Sequence, residues 1–360
     1  MCISKEGEYN MTRDPHIDIF RGLSILTMVA ANAAPQLLAE PHPFYFRVYG
    51  TFAAAIFTFL AGMMIAFGDQ FKKYNFKHYL IRGALIAMVG CFLDVFVWKM
   101  LPFVTYDILF CIGISTPIVY VISKLSKEEI FLAGLAILAL GPLLQSQLGY
   151  HIEYAQMPLL IPDLWQQTVT FDHTFSKILS NLFVNGDFPI FPWTGIMTMG
   201  LFFGKLRYGT RPNEIQPARY FPVAIPLLAG GIFYWSLNPG ALSTRMGWSE
   251  LFYPASSGYL ITALGVILLL LSLVDLIPHQ KIRHLKLVTT LGQSSLFVYW
   301  MHEVIIVMGL NHWIHPQPIT SFAIIYIMLL AALYALTSKI NQLKPRMRNW
   351  ALPYRFVFNA

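Results

Sequence analysis

Apolar runs of about twenty residues recur along almost the whole chain, and a polypeptide patterned this way has few options besides a bundle of membrane-crossing helices. Ten such runs can be drawn, at 17–39, 47–68, 79–98, 103–123, 129–148, 188–206, 220–237, 251–277, 287–310 and 319–338. Of the 360 residues, 56% are hydrophobic and 12% charged, about half the charged share of a soluble protein. The expected fold is therefore an all-α polytopic membrane protein of about ten transmembrane helices. Pro142, Pro189 and Pro192 fall near or within the fifth and sixth runs, which membrane helices tolerate. The 28 Phe, 18 Tyr and 8 Trp suit aromatic belts at both interfaces.

The net charge of +7 would suit a nucleic-acid partner, but its distribution argues for orientation instead. Nineteen of the 25 Lys and Arg fall on the side of the N-terminus when the ten runs alternate, among them Lys72, Lys73, Lys77 and the basic run after Lys339. The positive-inside rule then places both termini in the cytoplasm and predicts no nucleic-acid partner. The chain divides into a cytoplasmic tail at 1–16, a transmembrane domain at 17–338 with a long outer loop at 149–187, and a basic cytoplasmic tail at 339–360. Tyr154, Trp165, Gln166, Gln167 and His173 in that loop favour an ordered lid or a platform for a polar substrate. Cys2, Cys91 and Cys111 form neither a disulfide framework nor a metal-ligand pattern, so no metal is expected. No cleavable leader is expected, because the first apolar run carries Asp and Arg.

That first run holds Asp18, Arg21 and Asn32. Charged and amide side chains are costly in hydrocarbon, so they should face protein or water and mark a site. Asp18 and Arg21 are three residues apart, Arg21 and Asn32 eleven, which puts all three on one helical face about 22 Å long. Beyond Pro35, the short outer loop places His42 between Pro41 and Pro43. Its imidazole suits proton transfer near neutrality, although a lone loop histidine is often a solvated bystander. The ninth run carries His302 beside Glu303, with Ser295, Tyr299 and His302 on one face. His302 should lie about 22 Å from the cytoplasmic end, the depth of Asn32. A structural hydrogen-bond pair joining two helices is the alternative reading of that segment.

The run DIFRGLSILTMVAANA, a histidine-bearing outer loop and FTFLAGMMIAFG together resemble the start of the heparan-α-glucosaminide N-acetyltransferase family, related to the acyltransferase-3 proteins. The matching positions are Asp18, Phe20, Arg21, Gly22, Asn32, His42 and Gly62. VYWMHEVI resembles the family's Tyr-x-x-His-Glu helix. FPIFPWTGIMTMGLFFGKL resembles a Pro-Trp-x-Gly helix, carrying over Pro192, Trp193, Gly195, Gly200 and Gly204, and Asp107 fits a weaker Asp-Ile-Leu pattern. Thr51 and Ala55 stand where the family often has Asp and Pro, and the Asp-Pro-Glu-Gly turn of its eukaryotic members is missing.

The resemblance implies transfer of an acetyl group from cytosolic acetyl-CoA, as co-substrate, to a sugar or glycoconjugate on the far side of the cytoplasmic membrane. In that reading Arg21, Arg82, Lys72 and Lys73 hold the CoA phosphates, with Asp18 steadying Arg21. His42 serves as general base, or as a nucleophile through an acetyl-imidazole. Asn32 donates to the oxyanion, and Asp107 orients His42. His302, Glu303, Trp193 and Tyr299 shape the acyl or acceptor pocket. A terminal glucosamine, a cell-envelope sugar, a glycolipid or a polysaccharide all fit as acceptor. Membrane lipid is an expected neighbour, and a homodimer is left open. The rival reading is a proton-coupled transporter, which would show the same intramembrane Asp, Arg, His and Glu.

Overall fold

A computed structural model describes residues 13–103, 106–148, 175, 178–209, 219–240 and 249–347, with side chains to 344. Asp14 caps the first helix, α1 (Pro15–Leu37), by accepting from the His16 and Ile17 amides, with Pro15 at the first helical position. After a short extended link, α2 runs through Phe44–Thr51 and Ala53–Phe67 and closes in a π turn, Gly68–Lys72. Asn75 caps α3 (Phe76–Phe92), which also ends in a π segment, Leu93–Trp98. Next come α4 (Ile108–Ile122) and α5 (Lys127–Leu148), the latter opened by a reciprocal Ser126–Glu129 capping box. Then follow α6 (Ile190–Tyr208), α7 (Phe221–Leu237) and α8 (Ser257–Asp275). The ninth, α9, is built in pieces, Lys286–Gln293, Ser295–Glu303 and Val304–Leu310, and α10 is Ile319–Met347.

Among the described helices six are long and apolar enough to cross a membrane: α1, α2, α3, α5, α8 and α10; α4 and α7 are shorter and apolar. Successive helices alternate in direction. At the end we call the base, Arg207 of α6 meets Asp14 and Asp275, His16 meets the Ile277 carbonyl at 3.0 Å, and Lys124 meets Asp69 at 2.9 Å. At the opposite end, the top, Ala39 and Gln317 pair through their backbones, and Phe188 donates to the Tyr106 carbonyl at 3.1 Å.

Several boundaries differ from those expected. The fourth helix starts at Ile108 rather than 103, because Phe103 and Tyr106 adopt positive φ of 66° and 58° and turn the chain. The eighth starts at Ser257, where Ser256, in extended conformation, caps the helix by accepting from the Tyr259 amide. The ninth run is interrupted at Ser294, where φ −126° and ψ 37° leave the helical region. The tenth helix continues past 338 to Met347. Most of the outer loop, 149–174 with 176–177, and the tail beyond 347 lie outside the described residues, as do Tyr154, Trp165, Gln166, Gln167 and His173.

Two close crossings organise the bundle. A Cβ on Gly22 would stand 2.0 Å from the Val288 carbonyl oxygen, and one on Gly292 would stand 1.9 Å from that of Asp18. Helices α1 and α9 therefore touch backbone to backbone near the base. The same happens between α2 and α6, where a Cβ on Gly62 would stand 1.9 Å from the Met197 carbonyl oxygen and one on Gly200 1.9 Å from that of Phe59. Small residues permit such approaches between helices in lipid.

Candidate active site

Helices α1, α2, α3, α4 and α9 enclose a cavity of about 1560 Å³ that extends from the base to the top. Asp18, Arg21 and Asn32 all line it, so the polar face of α1 is one wall of the cavity. At the base the wall adds Arg13, Lys72, His78 and Arg82. Arg13 and Arg21 both pair with Asp18, Arg21 at 3.4 Å. Arg21 and Arg82 both line this end of the cavity, and guanidinium groups suit an anion through bidentate hydrogen bonding. Lys73 is exposed in a left-handed turn and is not among the lining residues.

Midway, the structure joins the two motifs that the sequence placed at equal depth. Asn32 Nδ2 lies 3.0 Å from His302 Nε2 and donates to Glu303 Oε1 at 2.8 Å. His302 Nδ1 lies 3.0 Å from the Val298 carbonyl, and its Nε2 lies 3.2 Å from Glu303 Oε1 as well as 3.0 Å from the Asn32 amide nitrogen. The imidazole is fully buried and does not line the cavity, whereas Tyr299 and Glu303 do. Asp107 also lines it and accepts from the Tyr299 hydroxyl at 2.8 Å. The structure does not pair Asp107 with His42.

His42 sits beside the top, 5% exposed and outside the lining itself. Its Nε2 lies 3.3 Å from the Leu38 carbonyl and its Nδ1 is buried with no partner. A proton on Nε2 satisfies that carbonyl and leaves Nδ1 as a bare base. Burial pushes the His42 imidazole below its ordinary value, which keeps it neutral. Trp193 is not at the cavity. It is fully buried among Phe188, Phe252 and Tyr259, with centroids 4.9, 5.4 and 6.1 Å away, and its role is packing.

Two clusters were not singled out from the sequence. Asp94, Asp187 and Glu250 join Asp107 on the upper wall. The sequence signal was a lone carboxylate at or near the end of an apolar run, repeated three times. At the base, Arg207, one of the nineteen basic residues counted on the side of the N-terminus, is 2% exposed. It donates to Asp14 at 2.9 Å and to both oxygens of Asp275 at 2.6 and 2.8 Å.

A bundle of membrane-length helices with ionisable side chains turned into a cavity along its axis has the build of a membrane enzyme or carrier. Comparison narrows the class. Residues 13–235 match the family model described as heparan-alpha-glucosaminide N-acetyltransferase, catalytic, and the chain belongs to that family. It is accordingly a membrane protein of an N-acetyltransferase family. No curated protein matches it. The matched span contains Asp18, Arg21, Asn32, His42, Asp107 and Trp193, while Glu250, Tyr299, His302 and Glu303 reach the site from beyond it.

Proposed function

We propose that this protein transfers an acetyl group from acetyl-CoA, bound at the base, to an amine or hydroxyl of a sugar or glycoconjugate that enters from the top. The observation that carries the reading is the cavity, basic at one end and acidic at the other, passing Asn32 between them. The base is the end rich in Lys and Arg, which supports a cytoplasmic base, cytoplasmic termini, ten spans and residence in the cytoplasmic membrane. Arg21, Arg82 and Lys72 hold the CoA phosphates by charge and hydrogen bonding. Lys73, solvent-exposed beside Lys72, adds long-range attraction only. The pantetheine arm follows the polar face of α1 for about 16 Å from Arg21 to Asn32.

At the upper end the acceptor attacks the thioester carbonyl. In this reading the Leu38–Pro43 link shifts to bring His42 Nδ1 to the cavity, where it takes the proton that the attacking nitrogen or oxygen loses; the C–S bond breaks, and the imidazolium passes that proton to the departing CoA thiolate. The His42 imidazole stays neutral through burial, as a base must. Asn32 serves first as a clamp that fixes His302 and Glu303, and donates to the oxyanion by releasing one of them. Tyr299 holds Asp107 on the acceptor side.

Purified protein in detergent tests this reading. Acetyl-CoA should raise the melting temperature where acetate does not, and a thiol reagent should report CoA release on addition of an amino sugar. A His42→Ala protein with undiminished release would remove the base assignment. The second reading, a proton-coupled carrier, is favoured by the extension of the cavity to both ends. Counterflow of a solute in liposomes free of CoA would establish it instead.

A further inference from the structure

Four residues beyond Asn32, and so about 6 Å nearer the top on the same helical face, α1 carries Gln36. Like Asn32 it lines the cavity, and it is half-buried. Among the described residues its amide has no hydrogen-bond partner, although Oε1 is shut off from solvent. Buried polar atoms are nearly always paired, so an unpaired amide on a cavity wall points to a ligand that supplies the missing partner. Helical side chains lean toward the N-terminus of their helix, which for α1 is the base. Gln36, longer than Asn32 by one methylene, can therefore lower its amide over the turn that Asn32 occupies. Gly50, Ala53 and Ala54 of α2 also line the cavity and bring no polar side-chain atom to compete for that amide.

A thioester under attack needs a donor at this height. As the acceptor's nitrogen or oxygen bonds to the carbonyl carbon, an electron pair of the C=O bond moves onto its oxygen. That oxyanion is held until the pair returns and the C–S bond breaks. Among the described lining residues every Lys and Arg lies at the base, so the donor here is a neutral group. The Asn32 amide nitrogen is already held between His302 and Glu303. The Tyr299 hydroxyl donates to Asp107, and the Asn185 amide to the Ser180 hydroxyl at 2.6 Å. Gln36 donates without first breaking a bond inside the protein.

We propose that Gln36 is a catalytic residue whose Nε2 donates to the thioester oxyanion, with Asn32 as the second donor one turn below. This role rests on the transferase reading and supplies it with a donor that is free before the substrate arrives.

The test follows CoA release by full-length protein in detergent, with glucosamine and then with hydroxylamine as the nucleophile. Gln36→Leu should lower kcat about a hundredfold. The acetyl-CoA KM, and the thermal shift that acetyl-CoA gives, should stay within about twofold of those of the unmodified protein. The fall should be the same with both nucleophiles, since the oxyanion forms with either. Gln36→Asn, its donor drawn back by one methylene, should lose less than Gln36→Leu. Should Gln36→Leu fail to fold, Gln36→Glu is read instead: its carboxylate keeps the shape and offers no donor, so kcat should fall at least as far. A folded variant, Leu or Glu, that keeps kcat within about threefold overturns the role. So does a loss confined to glucosamine, which belongs to a residue that holds the acceptor, or one confined to the acetyl-CoA KM. If the unmodified protein releases no CoA with either nucleophile, the transferase reading falls and takes this role with it. An active unmodified protein beside an equally active variant removes the role alone.

Discussion

Replacing Arg207 by Met would strip a cation from between two carboxylates that have almost no access to water. The three side chains are 2%, 5% and 4% exposed, and the guanidinium makes hydrogen bonds of 2.9, 2.6 and 2.8 Å to Asp14 and Asp275. Three charge-assisted bonds at about 1.5–3 kcal/mol each set a gross value of roughly 4.5–9 kcal/mol. The stranded carboxyls can take up protons, which caps the loss at about 4 kcal/mol, within the range for breaking a buried ion pair. That is about a thousandfold in the unfolding equilibrium, measurable by denaturant titration in micelles. The pH dependence carries a sign. Burial alone would raise the Asp14 carboxyl, but the charge and hydrogen bonds of Arg207 outweigh it and hold Asp14 below its usual value. Its stabilising share is therefore full above about pH 4 and is lost as pH falls through the lowered folded value. In Arg207→Met that lowering disappears. The triple variant Asp14→Asn, Arg207→Met, Asp275→Asn removes all three charges together and should recover most of the stability. A single variant costing less than about 1 kcal/mol, or a triple variant worse than the single, would refute the reasoning.

Gly22→Val and Gly200→Val should cost about 3 kcal/mol or more, because a Cβ would meet a backbone oxygen at 2.0 and 1.9 Å, whereas Gly230→Ala, with nothing within 4 Å, should be neutral in size-exclusion yield. Arg21→Gln and Arg82→Gln should each raise the acetyl-CoA KM about tenfold, with the loss shrinking at high salt and the acceptor KM unmoved. The acid limb of the kcat/KM profile should fall below pH 6.5, since burial lowers the His42 imidazole, and His42→Gln should abolish both the limb and most of the turnover.

The sequence alone predicted the shared face of Asp18, Arg21 and Asn32, because helical period and membrane cost both act locally, and the cavity wall matches it. It also predicted that Asn32 and His302 lie at one depth, since rise per residue is fixed; the two side chains meet at 3.0 Å. What it missed depends on long-range assembly. Arg207, near the end of an apolar run, looks like an interfacial anchor until Asp14 and Asp275 arrive from distant helices. Asp94, Asp187 and Glu250 are separately unremarkable, and only the folding of three chain segments toward one chamber gives them a joint meaning. Trp193 failed in the opposite direction, a motif tryptophan that turned out to fill the aromatic core.

The glycine contacts near the base couple the helix that carries Asn32 to the one that carries His302 and Glu303. The pair behaves like tongs riveted at the pivot, with the amide clamp holding the limbs shut farther up. Any widening that admits a bulky thioester then falls to α3, since Gly62 and Gly200 pin α2 to α6 in the same way, while the riveted pair serves as the fixed jaw.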